Sequence, residues 1–273
     1  MKCVYIKGVV FLSNHAEAIL RFSIVHGFSR ILDSVIVNEY PKSGGTWVGQ
    51  MLSDALEIPF PRNCMPRLER SIMHGHFLSP WGMKNVLVVW RDGRDVMVSW
   101  YYHCLFKNEH FNSPLVDKVI SDLNFKDPEN ISENLPKFLE YSFTRQVSPK
   151  FTWSDFVRKW HNRKGIINVK YEALRTDTSK ELIRICNELA GIEIGNERAN
   201  EISDHFSFAR QSGRKPGEEA KSSFMRKGIV GDWQNQFSQE AREIFNQYAG
   251  PELILLGYES DDSWVNAESI KWG

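Results

Sequence analysis

The chain contains 273 residues, and its 34 lysine and arginine side chains equal its 34 aspartate and glutamate side chains in number. Hydrophobic residues make up 42% of the sequence and charged residues 25%, a composition typical of a globular protein with a full core. These figures exclude collagen-like and wholly disordered chains. The zero net charge also excludes a globally basic nucleic-acid-binding protein, although it leaves local surface patches undetermined.

The cysteines and the N-terminal segment give expectations about the cellular location of the protein. The four cysteines lie too far apart for a C-x-x-C zinc or redox site, so we expect reduced thiols in a cytoplasmic protein. They are Cys3, Cys64, Cys104 and Cys186. The apolar run at residues 9–12 is too short for a membrane-spanning helix or a signal sequence, and we expect no integral membrane segment.

Residues 15–32 predict an amphipathic helix within an N-terminal helical extension, residues 1–33. One side of this helix carries Ile19, Phe22, Val25 and Ile31. We expect this side to pack on the domain, and attachment to a membrane surface is the alternative.

Three short apolar runs rich in β-branched residues predict buried strands at residues 34–37, 86–90 and 166–171. Each run is followed by apolar residues at helical spacing. Alternation of strand and helix predicts an α/β fold with a central parallel sheet flanked by helices. No linker composition divides the chain, so we expect one domain over residues 1–273.

Residues 104–152 fit this alternation less well, because they are polar, contain several prolines and carry only short helical patterns. We interpret them as an insertion or cap over the sheet. Their apolar residues line a pocket for a ligand or pack the insertion itself, and both alternatives stay open. These residues are Phe106, Phe111, Leu115, Phe138, Tyr141 and Phe143.

The segment between the first strand and the first helix has the composition of a P-loop-like phosphate site. Adjacent glycines let backbone amides approach an anion, and the start of the following helix favours negative charge. Hydroxyl groups and one ammonium group add donors. The residues are Lys42, Ser43, Gly44, Gly45 and Thr46. In a Walker A loop the lysine follows the glycines, whereas Lys42 precedes them, which argues against a P-loop kinase or NTPase.

Three motifs together carry a resemblance to a known family. P-K-S-G-G-T-W at residues 41–47 resembles the 5′-phosphosulfate loop of sulfotransferases that use 3′-phosphoadenosine 5′-phosphosulfate (PAPS), with Gly45 where the family has threonine. R-D-G-R-D-V-M-V-S at residues 91–99 resembles their 3′-phosphate element, in which we expect Asp95 to cap or pair locally. R-K-G-I-V-G-D-W at residues 226–233 is similar to their R-K-G-x-x-G-D-W signature.

The resemblance implies PAPS as cofactor and a set of residues that bind it. Trp47, Tyr171 and Phe208 match positions that contact adenine, although Ala173 and Phe206 depart from the family pattern beside them. The implied binding residues are Lys42, Ser43, Gly44, Gly45, Thr46, Trp47, Arg91, Ser99, Tyr171, Phe208, Phe224, Met225, Arg226, Lys227 and Gly228.

The resemblance also implies in-line transfer of a sulfuryl group to a hydroxyl, with an amine as the second choice of acceptor. Lys42 is expected to neutralise the leaving oxygen. H-G-H-F at residues 74–77 is similar to the family's K-T-H-L-P, which makes His76 the expected general base, with His74 and His103 as alternatives. No metal is expected, because a sulfuryl group is less charged than a phosphoryl group. The sequence agrees, since it offers no cluster of carboxylates near the loop.

The acceptor itself is expected to be a small or lipid-like alcohol or phenol rather than a nucleic acid. The insertion at residues 104–152 is expected to lie on the side of the acceptor. The family's dimerisation signature is not matched after residue 233, so a homo-oligomer is possible in principle but not signalled. Two alternative functions remain at this point. One is a P-loop-type nucleotide kinase or NTPase, and the other is a nucleotide-binding protein without catalysis.

Overall fold

A computed structural model of the chain describes residues 10–62, 64–110, 112–145 and 147–267. Cys3 and Phe111, named above, lie outside these residues, as do residues 1–9 of the predicted N-terminal extension. The described residues divide into two compact units. One unit contains the sheet and falls within residues 1–39, 44–90 and 163–206, and the other is helical and falls within residues 40–43, 91–162 and 207–273. The prediction of a single domain stays a prediction.

Four parallel strands form the sheet: β1 (Val35–Glu39), β2 (Ile72–Gly75), β3 (Val86–Trp90) and β4 (Ile166–Lys170). Their spatial order is β2-β1-β3-β4. The predicted α/β class with a parallel sheet is therefore confirmed, and the three predicted strands correspond to β1, β3 and β4. Strand β2 was not predicted, because Ile72 and Met73 alone do not form an apolar run.

Four helices of the sheet-containing unit pack on one face of the sheet: α2 (Gly45–Leu56), α7 (Tyr171–Thr176), α8 (Thr178–Ala190) and α9 (Asn196–His205). Helix α1 (Val10–Ser23) precedes β1 in the chain. Alternate residues of the strands, such as Val37, Leu87 and Val89, share one buried cluster with Met51 of α2 and Ile185 of α8. Because side chains alternate across a strand, this packing defines which strand residues face α2.

The helical unit has its own aromatic core. Its helices are α3 (Gly93–Leu105), α4 (Ser113–Leu123), α5 (Ile131–Thr144), α6 (Trp153–Trp160), α10 (Phe208–Ser212), α11 (Trp233–Gln236) and α12 (Gln239–Leu255). Phe245 of α12 lies 5.9 Å from Trp153 of α6 and 5.8 Å from Phe143 of α5, measured between ring centroids. Offset and edge-to-face contacts of this kind stabilise a core beyond the area that they bury.

The N-terminal helix differs from its prediction. Helix α1 ends at Ser23 and continues as one π-helical turn, Ile24–Phe28, instead of running to residue 32. Ile19, Phe22 and Ile31 are 68%, 58% and 78% exposed, whereas Val25 is fully buried. The prediction that these four side chains pack together on the domain is therefore wrong. The π-helical turn has more residues per turn than an α-helix. Side chains that follow its start therefore point in other directions than a spacing of 3.6 residues per turn predicts.

The segment 104–152 forms two regular helices, α4 and α5, which bury Val116, Val119 and Phe138 in the helical unit. Among the described helices, none combines the length and apolar character that crossing a membrane requires.

Candidate functional site

The residues of several sequence motifs lie just after the carboxyl ends of the strands. The loop with Lys42 follows β1, and Arg91 follows β3 directly. His76 and Tyr171 follow β2 and β4 in the same way. All four strands are parallel, so these ends share one edge of the sheet. In the order β2-β1-β3-β4, the chain switches sides between β1 and β3, and open α/β sheets bind their ligands at such a switch point.

The loop after β1 depends on an unusual backbone conformation. Lys42 has a φ of +74° and Gly44 a φ of +106°, and the Ser43 amide donates to the Tyr40 carbonyl at 3.2 Å to close the turn. A Cβ on Gly44 would lie 2.7 Å from Cδ2 of Tyr171. Gly44 is therefore required both for its conformation and for the close approach of the Tyr171 ring.

Lys42 connects the first motif with the third in the helical unit. Its Nζ lies 3.7 Å from the ring centroid of Phe224 and donates to the Phe224 carbonyl at 3.4 Å. His110 stacks edge-on against the same ring, with centroids 4.3 Å apart. The ammonium group thus rests on an aromatic face, an arrangement that holds a cation in place by attraction to the ring quadrupole.

Arg91 and Asp95 connect the second motif with the first and the third. The guanidinium of Arg91 donates to the carbonyl of Lys42 at 3.0 Å and lies 3.8 Å from the carboxylate of Asp95. Asp95 accepts hydrogen bonds from the amides of Gly231 at 2.7 Å and Trp233 at 3.0 Å. The expected local pairing of Asp95 is present, and the carboxylate also anchors a segment 136 residues away, which spacing within the motif does not reveal.

The two cations of the third motif share carboxylate partners. Arg226 donates to Asp232 at 2.5 Å and pairs with Glu219, and Lys227 donates to Asp232 at 2.7 Å. Burial alone would raise the pKa of Asp232, but the charges and hydrogen bonds of Arg226 and Lys227 hold this pKa below its usual value. Asp232 therefore stays ionised and orients both cations.

Gly228 and Phe208 contact each other at the end of the same loop. Gly228 has a φ of +65°, and a Cβ there would lie 2.3 Å from Cδ2 of Phe208, which is buried. The guanidinium of Arg214 lies 5.2 Å from the Phe208 ring and donates to the carbonyls of Met225 and Arg226. Arg214 thereby clamps the loop onto α10, a role that the sequence did not indicate.

Trp47 and Tyr171 form an aromatic pair in the sheet-containing unit. Their ring centroids lie 6.0 Å apart in an edge-to-face arrangement, and Nε1 of Trp47 donates to the carbonyl of Phe206 at 2.8 Å. The hydrogen bond fixes the orientation of the indole, which remains partly exposed.

The remaining predicted residues lie in the expected kinds of element. Thr46 is in the first turn of α2, and Ser99 lies in α3, eight residues after Arg91; both are partly buried. His103 also lies in α3, where its Nδ1 is 3.0 Å from Nδ2 of Asn108 and its ring stacks on Trp100 at 5.3 Å.

Glu39, His74 and His76 form a cluster at the carboxyl ends of β1 and β2. His74 Nε2 lies 2.9 Å from Oε1 of Glu39, and the Gly45 amide donates to Oε2 of Glu39 at 2.5 Å. His76 Nδ1 lies 3.0 Å from the carbonyl of Glu39. Because a carbonyl oxygen only accepts, Nδ1 carries a proton, and Nε2 is the basic nitrogen of neutral His76.

The electrostatics of this cluster follow from burial and mutual contact. Burial would raise the pKa of Glu39, but the hydrogen bond and charge of His74, helped by His76 and Gly45, bring the pKa below its usual value. Neighbouring protein atoms and the charge of His74 lower the pKa of His76, whereas the charge of Glu39 and the hydrogen bond to the Glu39 carbonyl raise it. His76 is exposed, and contact with water favours its charged form. Glu39 was missed from sequence, although a carboxylate ending an apolar strand is unusual enough to have signalled it.

The predicted apolar residues of the 104–152 segment divide between two roles. Leu115, Phe138 and Tyr141 line a narrow cleft beside Tyr40 and Trp100, with room for about one water molecule. Phe143 instead packs in the core of the helical unit, where its ring stacks on Tyr248 at 5.1 Å.

Comparisons with known proteins agree with the motifs. The profile described as the sulfotransferase domain matches residues 66–257. Sulfotransferase 1E1 of Rattus norvegicus is 26% identical over 270 residues, which cover 82% of this chain and 84% of the relative. The amine sulfotransferase of Oryctolagus cuniculus is 26% identical over 269 residues, which cover 81% of each chain.

Two solved structures share the fold. The mouse sulfotransferase SULT7A1, complexed with PAP, superposes with a TM-score of 0.64 at 20% identity, covering 91% of this chain and 94% of its own. Retinol dehydratase, in complex with androsterone and the inactive cofactor PAP, superposes with a TM-score of 0.56 at 17% identity, covering 81% of this chain and 80% of its own.

Proposed function

The chain belongs to the sulfotransferase domain family, and on this premise we propose that it transfers the sulfuryl group of PAPS to a hydroxyl of a small or lipid-like acceptor. The observation that carries the proposal is the contact among three anion-binding motifs in the helical unit. Arg91 donates to the carbonyl of Lys42, and Lys42 rests on Phe224. Sulfuryl transfer, like phosphoryl transfer, depends mainly on positioning and on charge stabilisation, which such a group of cations supplies.

The donor set fits an anionic nucleotide. The helical unit contains two arginines and two lysines of the motifs, and the sheet-containing unit contains a glycine-rich helix start. Proteins use groups of both kinds to bind phosphates. PAPS supplies the sulfuryl group. The residues proposed to hold it are Lys42, Ser43, Gly44, Gly45, Thr46, Trp47, Arg91, Ser99, Tyr171, Phe208, Phe224, Met225, Arg226, Lys227 and Gly228. Further support comes from SULT7A1 and retinol dehydratase, both of which were solved with PAP.

Lys42 is proposed to stabilise the negative charge that develops on the leaving oxygen. Its position on Phe224 supports this role, because the ring orients the ammonium group without neutralising it. A fixed cation needs no reorganisation as charge develops, which is the basis of electrostatic catalysis.

His76 is proposed to accept the proton of the acceptor hydroxyl at Nε2. The hydrogen bond from Nδ1 to the Glu39 carbonyl supports this assignment, because it holds the neutral ring in the tautomer with a free Nε2 lone pair. His74 is less suitable, since its Nε2 is committed to Glu39. His103 is less suitable as well, since its ring is engaged with Asn108 and Trp100.

The acceptor is proposed to be an alcohol or phenol with an apolar body. Retinol dehydratase was solved with androsterone and with retinol, which favours a lipid-like molecule. An amine is the second choice, because one relative is named an amine sulfotransferase. A cytoplasmic location is proposed on the free thiols of Cys64, Cys104 and Cys186.

Substitution of Lys42 by alanine tests the role of the ammonium group. We expect Lys42→Ala to lower transfer from radiolabelled PAPS at least about 100-fold, the size of effect that a lost electrostatic donor has in other enzymes. Adenosine 3′,5′-bisphosphate (PAP) should still bind, as measured by calorimetry. Exposed Lys164→Ala is the matched control and should keep full activity. Unchanged turnover in Lys42→Ala would remove this residue from the mechanism.

Substitution of His76 by alanine tests the base. We expect His76→Ala to lower turnover about 100-fold or more, the usual contribution of a general base, with unchanged affinity for PAP. His103→Ala should have a much smaller effect. Loss of activity in His103→Ala with normal turnover in His76→Ala would assign the base to α3 instead.

A further inference from the structure

Glu39, His74 and His76 converge on one face of the sheet at its carboxyl edge. In the β1–β2 ladder Val37 pairs with His74, and Asn38 pairs with Gly75. The next two residues are Glu39 and His76. Because side chains alternate along a strand, both lie on the same face of the sheet as His74. One potential ligand atom of each residue lies within 4.8 Å of those of the other two. From this geometry we propose that the cluster binds a divalent transition-metal ion of the zinc class.

The type and spacing of the ligand atoms fit such an ion. Two imidazoles and one carboxylate are a common zinc ligand set, with bonds of about 2.0–2.2 Å. Two ligands of one tetrahedral zinc ion are therefore about 3.3–3.6 Å apart. His74 Nε2 and Glu39 Oε1 are 2.9 Å apart, so these two atoms need to separate by only about 0.5 Å for the ion to replace the proton between them. The ligand atom of His76 lies within 4.8 Å of the other two, and His76 is exposed, so rotation of its side chain can bring it closer.

Outer contacts hold the ligands in the orientation that a metal needs. Metal-binding histidines usually donate their second ring nitrogen to a carbonyl or carboxylate, and His76 Nδ1 does so to the Glu39 carbonyl. The Gly45 amide holds the second oxygen of Glu39. Gly45 also provides the space, since a Cβ there would lie 2.7 Å from Cδ of Glu39 and 3.0 Å from Nε2 of His74.

Arg62 is a nearby charge that opposes a bound cation. It lies close enough to Glu39 and His76 for their charges to interact. The ion is therefore held less tightly than in a purpose-built zinc site, which suits a reversible occupant. Arg62→Ala should strengthen metal binding severalfold, because it removes this repulsion.

Direct titration with zinc chloride tests the site without an activity assay. Full-length protein freed of metal with EDTA should bind one zinc ion by calorimetry. His76→Ala and His74→Ala should each weaken binding at least about tenfold, whereas His205→Ala, which removes an exposed imidazole elsewhere, should not. Cobalt chloride should produce the visible absorption of a protein-bound ion in the wild type and not in His76→Ala.

The outcome is decisive in either direction. Saturable binding that is lost in both histidine variants supports the site. Absence of saturable zinc binding, or equal affinity in the wild type and His76→Ala, overturns it.

Zinc bound here would occupy the nitrogen that the proposed function assigns to proton transfer. On that assignment, zinc should inhibit sulfuryl transfer in proportion to its occupancy, and EDTA should restore activity. This consequence rests on the proposed function, and the two can fail separately. Zinc binding without inhibition would contradict His76 as the base and leave the metal site standing. Absence of zinc binding would overturn the metal site only. The role of His76 as the base would then still be decided by the turnover of His76→Ala.

Discussion

Single carboxylates decide how the cations of this site are arranged. Asp232 is 2% exposed and accepts hydrogen bonds from Arg226 at 2.5 Å and Lys227 at 2.7 Å. Asp95 accepts hydrogen bonds from the amides of Gly231 and Trp233, which flank Asp232. Hydrogen bonds to charged groups contribute more than neutral ones, and an unpaired buried charge is strongly unfavourable. We infer that these carboxylates stabilise the loop before any anion binds.

Asp232→Asn is the prediction that belongs to this scale. At neutral pH we expect it to lower the free energy of unfolding by about 1–3 kcal/mol, because a charged hydrogen-bond acceptor is lost. The pKa of Asp232 is lower in the folded protein than in the unfolded chain. The stabilisation is therefore complete above the unfolded value of about 3.9 and is lost as the pH falls through the lower folded value.

Urea unfolding of wild type and variant over a series of pH values measures this difference. Asp117→Asn is the control, because Asp117 forms an exposed ion pair with Lys107 at 2.9 Å. Exposed pairs of this kind contribute little to stability. Equal losses in the two variants, or a loss in Asp232→Asn that does not change with pH, would contradict the prediction.

At the scale of elements, the loop between α10 and α11 is shaped by contacts that are distant in sequence. Arg214 donates to the carbonyls of Met225 and Arg226 and lies over the Phe208 ring, and Gly228 packs against the same ring. The loop is thereby fixed although it contains no long helix or strand. Ordering it in advance lowers the entropic penalty of binding an anion there.

Gly228→Ala separates close packing from backbone strain. Gly228 and Gly213 have similar φ values, +65° and +70°, so alanine is strained at both positions. Only at Gly228 would the new Cβ meet a side chain, Phe208 at 2.3 Å, whereas at Gly213 nothing lies within 4 Å. Overpacking typically costs about 1–3 kcal/mol, and we expect Gly228→Ala to exceed Gly213→Ala by this amount in urea unfolding. Similar losses in the two variants would show that the Phe208 contact yields easily.

At the scale of the whole molecule, the zero net charge conceals an uneven distribution. Residues 206–228 contain six basic and two acidic side chains, whereas residues 251–273 contain five acidic side chains and one basic one. In the helical unit the acidic residues Glu252 and Glu259 of the C-terminal segment pair with Arg158 and Arg94. Three cations of the motifs, Arg91, Arg226 and Lys227, pair with three carboxylates, Asp95, Glu219 and Asp232. A fourth cation, Lys42, lies on the Phe224 ring.

A salt-dependent affinity for PAP follows from this distribution. We expect the affinity to fall about tenfold between roughly 0.1 M and 1 M salt, because the Debye screening length shortens from about 10 Å to about 3 Å. Calorimetry at both concentrations measures the change. Uncharged adenosine serves as the matched ligand, and its affinity should change little. A PAP affinity that does not depend on salt would contradict recognition of the phosphates by these cations.

Local sequence determined the α/β class, three of the four strands and the identity of the cationic motifs. It could do so because apolar periodicity and glycine-containing loops act over a few residues. Strand β2 was missed, since Ile72–Gly75 forms part of the sheet by pairing with β1 rather than through an apolar run of its own. The apolar side of the N-terminal helix was predicted wrongly, because the π-helical turn at Ile24–Phe28 interrupts the helical period.

Only the tertiary structure decided which distant groups meet. Glu39 and His74 are 35 residues apart in sequence and 2.9 Å apart in space, and they meet because β1 and β2 are neighbours in the sheet. Folding of the helical unit likewise brings Asp95 to Gly231 and Lys42 to Phe224. A sequence states which groups a chain contains, whereas hydrogen bonds and ion pairs depend on distances of a few ångströms that folding alone creates. The cationic motifs were therefore readable beforehand, and the carboxylates and imidazoles that complete them were not.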